Sequence, residues 1–300
     1  MGSFDVHIFL TNCYIPSTIS ISNDIYIEPF YGIEVLDVAN LLDRYLEEVL
    51  KQPKQPKNQK KIESEEIHSN GASTVFTFAN LQALNSTEAI NQTREAFLLY
   101  RDILAFRQLQ RGSIAGFLVI QLDVSPVRLF ASIRPPYPIL RKVRNIPIFE
   151  SEGDFISRIY AKAEKYPILK VYLSLYADST AYSDSLLSDI SYETRMMKIW
   201  SLLEAMAYSE VGSKKQKVKN LFRRYKLSTY PDYRNHKGKN LLDIAYKWRN
   251  IIVHCGGCSA TTKQGDIEFC KIYSADFKKI LEDLNQACRF LINAFVNSLS

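Results

Sequence analysis

The chain has 300 residues, of which 46% are hydrophobic and 23% charged, with a net charge of +6. Such a composition gives a folded protein with ample apolar mass, divided into one large domain or, better, two of ordinary size. No apolar run approaches the length of a membrane-spanning helix; even Ala115–Leu122, among the longest, reads as a strand.

The first residues, Met-Gly-Ser-Phe-Asp-Val, show neither a basic n-region nor an apolar h-region, so nothing marks secretion. Position 6 also lacks the Ser or Thr of a myristoylation signal. Phe4–Thr11 alternates as a strand does, and Asp24–Pro29 reads as a second. Val35–Leu50 carries apolar residues at helical spacing. From about residue 51 to 73 the composition turns polar, and its lysines and glutamates read as a solvated loop. Thr74–Phe78 is a short strand, and a long helix runs from Asn85 to about Gln110. Asn85 and Glu88 form a capping-box pair at its start. That assignment is better than the glycosylation sequons at Asn85 and Asn91, which read as chance. Ala115–Asp123 and Val127–Arg134 look like two strands across a turn at Ser125-Pro126. Pro135, Pro136, Pro138 and Pro147 then interrupt regular structure, and a domain boundary is expected near residue 150. Residues 1–148 therefore form a mixed α/β domain, an α+β fold.

From residue 150 to 300 the pattern is helical almost throughout. The expected segments are Phe155–Lys165, Ile168–Ala177, Ile190–Tyr208, Ser213–Lys226, Lys239–His254 and Ser274–Leu299, the last with Ser274 as N-cap. The second half is an all-α helical bundle.

Charge is unevenly spread. Between Lys214 and Arg249, twelve Lys or Arg face two acids, Asp232 and Asp243, so this window is strongly basic and the rest of the chain net acidic. Val218, Leu221, Phe222 and Tyr225 form an inward stripe. Lys214, Lys215, Lys217, Lys219, Arg223, Arg224 and Lys226 are expected to be mostly exposed. Arg234 and Lys237 follow, with Tyr230, Tyr233 and His236 between and around them. Cations interleaved with aromatics suit RNA, whose phosphates they pair and whose bases they stack. The plainer alternative is a solubilising surface.

The basic stretch leads to Tyr246-Lys-Trp-Arg-Asn-Ile-Ile-Val-His254, followed by Cys-Gly-Gly. Leu242, Ala245, Trp248, Ile251 and Ile252 give a buried helical face, and Gly256 and Gly257 supply a stop. Asn250 and His254, four residues apart, share one face. A cation, an amide and an imidazole gathered at a helix end are costly to bury without a function. On an ideal helix Arg249 and His254 diverge by about 140°. They meet only if the last turn deforms at Gly256, if the arginine sweeps back, or if a second chain completes the cleft. Glu204, beside the apolar face of Trp200, Leu203 and Ala207, either pairs with Arg249 or lies at the core's edge.

Arg249-Asn-Ile-Ile-Val-His254 resembles the R-N-x-x-x-H signature of the HEPN superfamily. The helix Met196–Met206, the basic helix after it and the glycines behind the histidine are similar to the ApeA-like branch. The resemblance covers roughly residues 150–300 and implies a HEPN-type helical bundle with metal-independent endoribonuclease activity. In such a reaction the RNA 2′-hydroxyl attacks the neighbouring phosphate. His254 would be the general base or acid, Arg249 the electrostatic stabiliser and Asn250 the positioner, with Glu204 and Tyr246 in support. It implies no cofactor and no metal, RNA as partner, and a homodimer paired through the 239–254 helix. It also implies a role in anti-phage defence by abortive infection, with a phage trigger and residues 1–148 as a sensor restraining the nuclease. The alternatives are a degenerate module that binds RNA or a nucleotide without cutting it, and a toxin component held by a separate antitoxin.

Five cysteines, at 13, 255, 258, 270 and 288, are an odd number without framework spacing, which fits a reducing cytoplasm. Cys255-Gly-Gly-Cys258 stands at a helix C-terminus, where a thiolate is not stabilised. A zinc site would need two further ligands, and Cys270 and Cys288 do not make a second C-x-x-C. His7 and His68 are isolated.

Overall fold

A computed structural model describes residues 1–11, 13, 15, 17–30, 73–108, 113–124, 128–133, 152–180, 192–227 and 240–299. The expected helix at Val35–Leu50, the loop at 51–73, the prolines from 135 to 147, His68, and Tyr230, Tyr233, Arg234, His236 and Lys237 lie outside them. The chain forms two compact units, one holding Met1–Arg158 and the other most of the chain from Ile159 to Ser300. The division falls inside a helix, a little beyond the proline-rich stretch where it was expected.

The first unit is built on six strands: β1 (Gly2–Thr11), β2 (Ile19–Ser22), β3 (Ile25–Phe30), β4 (Ser73–Ala83), β5 (Ser113–Gln121) and β6 (Arg128–Ile133). They form one sheet in the order β2-β3-β4-β1-β5-β6, every neighbouring pair antiparallel. β1 is central, which explains why its alternation is imperfect: Val6, Ile8, Phe9 and Leu10 are all buried, so both faces are covered. Helix α1 (Ser86–Gln108) packs on β1, β4 and β5. Its Phe97 meets Phe76 edge-on at 5.5 Å. The cap at its start forms largely as the sequence predicts: Asn85 Oδ1 accepts from Glu88 N at 3.0 Å. The reciprocal bond goes one residue further back, from Leu84 N to Glu88 Oε2 at 2.6 Å. His7 is 1% exposed, with Nδ1 2.9 Å from Thr77 Oγ1 on the neighbouring strand. Burial lowers its pKa to about 4.

The second unit is helical: α2 (Gly153–Lys165), α3 (Pro167–Thr180), α4 (Tyr192–Met206), α5 (Lys214–Arg224), α6 (Leu241–Cys255), α7 (Gln264–Tyr273) and α8 (Phe277–Ser298). α2 begins in the first unit and ends in this one. α4 packs against α3, α6 and α8, burying Ile199, Trp200, Leu202 and Leu203. Lys162 closes the end of α8, its Nζ donating to Val296 O at 2.9 Å and Leu299 O at 2.6 Å. The bundle also holds α7, which the sequence reading leaves out. Ser274 is not the N-cap of the last helix. It lies in a 3₁₀ turn (Ser274–Asp276), and its hydroxyl donates back to Cys270 O at the end of α7. Among the described residues no helix is long and apolar enough to cross a membrane.

Candidate functional site

Helix α6 positions the motif. Its start is fixed by Asn240, whose Oδ1 accepts from Leu242 N at 2.8 Å. Its end is fixed by Gly256 at φ 76°, a left-handed cap that a side chain would strain. Between them Leu242, Ala245, Trp248 and Ile251 are buried as predicted, joined by Leu241 and Ile244, while Ile252 is only half-buried. Trp248 anchors the helix, stacked on Phe277 at a ring distance of 4.3 Å and edge-on to Phe269 at 5.5 Å.

The opposite face carries a polar stripe. Asp243, Lys247, Asn250 and His254 fall within about 60° of arc on an ideal helix. The stripe could have been read from the sequence, where only its last two members were singled out. Asp243 receives both Lys215 and Lys219 from α5, at 2.7 and 2.8 Å. Burial would raise the Asp243 pKa, but the two lysines outweigh it and hold the carboxyl below its ordinary value. Lys247 pairs with Asp266, a buried carboxylate in the first turn of α7. Neither pairing leaves a local sequence signal, because both join separate helices.

Arg249 is half-buried. Its Nη1 donates to Asn250 Oδ1 at 3.1 Å, while its Nε is buried with no hydrogen-bond partner among the described residues. His254 is exposed in the last turn of the helix. Tyr246 packs on Trp200 at 5.4 Å, with Lys215 over its ring at the same distance. Of the two alternatives for Glu204, pairing with Arg249 is not the one formed. Glu204 Oε1 accepts from Trp200 Nε1 at 2.8 Å, and Lys214 lies 3.7 Å from Oε2.

A cleft of about 640 Å³ opens beside the stripe, lined among others by Lys215, Asn240, Tyr246, Lys247, Asn250 and Gly265. Asn250 is the one motif residue in its wall. The stripe thus runs from the cleft, through Asn250, to His254 at the open end of the helix.

The basic helix corrects one expectation. Lys214, Arg223, Arg224 and Lys226 are exposed, but Lys215, Lys217 and Lys219 are half-buried. Lys215 and Lys219 are drawn onto Asp243. Lys217 donates to Tyr208 O at 3.1 Å and lies 5.6 Å from the Tyr208 ring. Arg224 pairs with Glu210 at 2.6 Å. These lysine stems cover apolar surface while their heads find acids or a carbonyl. The cysteines add a pairing that their spacing did not suggest. Cys258 and Cys270 are joined in a disulfide, their Cα atoms 5.9 Å apart, because a 3₁₀ turn (Cys258–Ala260) carries the chain back under α7. A bond of this kind persists in an oxidising milieu and opens in a reducing one. Cys13, Cys255 and Cys288 are free thiols. Among the described residues no group of three or more His, Cys, Asp or Glu gathers to hold a metal.

The chain matches no protein-family model, no curated protein and no solved structure.

Proposed function

We propose that the helical unit is a metal-independent endoribonuclease of HEPN type, with Arg249, Asn250 and His254 as its working residues. The observation that carries this reading is the state of Arg249. Its guanidinium is half-buried, tied to Asn250 through Nη1, and its buried Nε–H has no partner among the described residues, while an exposed imidazole stands at the end of the same helix. A buried donor without a partner is costly in a structure that serves only stability, and the exposed part of the same side chain is placed to meet a phosphoryl oxygen that arrives with substrate.

In this reaction His254 takes the proton from an RNA 2′-hydroxyl. The 2′-oxygen forms a bond to phosphorus as the bond to the 5′-oxygen breaks. The leaving oxygen acquires a proton, and the products are a 2′,3′-cyclic phosphate and a 5′-hydroxyl. Arg249 meets the charge that grows on the non-bridging oxygens. Because Arg249 and His254 lie about 140° apart around the helix, a second copy paired through the 239–254 helix would complete the cleft. Val253, 45% exposed beside His254, offers that copy an apolar contact. The ApeA-like resemblance extends the proposal to anti-phage defence.

The test is cleavage of labelled RNA in EDTA. The wild-type chain is expected to yield cyclic-phosphate ends, and His254→Ala to lose them by about 10²–10⁴-fold without a shift in melting, since the side chain is exposed. Equal products from both proteins would overturn the reading. Binding without cleavage by the wild type would favour the non-enzymatic module.

A further inference from the structure

The cleft beside the motif has a volume of about 640 Å³, of the size that holds small ligands. What distinguishes it is how its polar groups are already used. Lys215 is paired with Asp243, and Lys247 with Asp266. An anion entering the cleft would meet two lysines whose charge a carboxylate already balances, so a bare phosphate fits poorly. Two amides remain. Asn240 has its carbonyl oxygen bound to Leu242 N, and Asn250 has its own bound to Arg249 Nη1. With one acceptor site of each oxygen taken by the fold, the two NH₂ groups suit a ligand's acceptors, and the Asp243 carboxylate, also in the wall, suits a neighbouring N–H donor. A neutral polar ligand that presents acceptors beside a donor fits this set best. Tyr246 and Phe269 add aromatic surface to the lining.

We propose that this cleft is a nucleobase subsite, which reads the acceptor edge of the RNA base beside the scissile bond. The identity of the ligand as RNA rests on the ribonuclease reading above. Asn250 and His254 are four residues apart, about 6 Å of helix rise, so a base held by Asn250 brings its ribose to the imidazole. Uracil and guanine, which carry carbonyls where cytosine and adenine carry exocyclic amines, are the better partners for two amide donors.

Gly265 provides a way to close the site without touching the motif. It lies in the cleft wall, its φ is not in the left-handed region, and a Cβ built there meets nothing within 4 Å. Gly265→Leu fills the cleft, and Gly265→Ala serves as the folded control. The full chain would be titrated with uridine, guanosine, cytidine and adenosine by calorimetry, and each protein's RNA cleavage resolved into kcat and KM. We expect uridine and guanosine to bind tightest. Gly265→Leu should weaken them by about tenfold or more and raise KM with kcat retained, while Gly265→Ala stays near wild type. Cleavage without nucleoside binding, or with KM unchanged in Gly265→Leu, overturns the subsite and leaves the nuclease. Nucleoside binding that Gly265→Leu removes, in a chain that cuts no RNA, overturns the nuclease and the link to a scissile bond while upholding the cleft as a nucleobase site. Neither binding nor cleavage overturns both.

Discussion

The two halves of α6 are made of similar residues and treated differently. In the N-terminal half the charged groups are closed: Asp243 holds two lysines, and Lys247 holds Asp266. In the C-terminal half Trp248 Nε1 and Arg249 Nε are buried with no partner among the described residues, and His254 faces solvent. One end of the helix is fastened to its neighbours by charge, and the other holds two buried donors without a partner among the described residues. Paired ions on separate helices fix packing, whereas an unpaired buried donor costs stability.

The largest effect is expected at Trp248, where the C-terminal half begins. It is 3% exposed and stacked on Phe277, so Trp248→Ala should cost about 3–5 kcal/mol in urea unfolding. A loss below about 1 kcal/mol would show that the helix is held by its ion pairs instead. Arg249→Lys is expected to act oppositely. It should leave the unfolding curve nearly in place while lowering kcat by about 10²–10³-fold, since an ammonium cannot reproduce the guanidinium fork. Equal effects on stability and rate would erase the distinction between the halves.

The same contrast separates the two histidines. His254 is open to water, but His7 is sealed between strands with its pKa lowered to about 4 from an ordinary 6.5. The native sheet therefore declines a proton that the unfolded chain accepts. Stability from this source is complete above pH 6.5 and is lost as the pH falls toward 4, a total of roughly 3 kcal/mol. Unfolding of His7→Gln followed from pH 7 to 4 should show a flatter slope than wild type, and parallel slopes would refute the assignment. The smallest effect is expected at Asp243→Asn. Its carboxylate is about one-third exposed, so the loss in stability should be near 0.5–1 kcal/mol. The released Lys215 and Lys219 should in turn steepen the salt dependence of RNA binding, measured by fluorescence anisotropy. Weaker RNA binding in this variant would mean that the pairs themselves form the contact surface.

Helix α6 was legible because its signals are local: an apolar stripe through Leu242, Ala245, Trp248 and Ile251, an asparagine before it and glycines behind it. The strands around β1 were legible for the same reason, as was the Asn85–Glu88 cap. Helix α7 was not. It is ten residues long, has Gly265 in its first turn, begins without a side-chain cap, and gives one position of its buried face to Asp266. β2 has four residues, too few for alternation to register. The fate of the basic helix was hidden for a different reason. Whether a basic side chain is free depends on which acid the fold brings to it: Asp243 and Glu204 come from other helices, and Glu210 from the turn before this one. The Cys258–Cys270 pairing likewise follows from the turn between α6 and α7 and not from spacing.

That pairing encloses the first turn of α7, with Gly265 and Asp266, inside a covalent ring whose ends are 12 residues apart in sequence. A protease that cuts once within the ring would release no fragment. The nicked chain would migrate as a single species on a non-reducing gel and part into two only after treatment with a thiol.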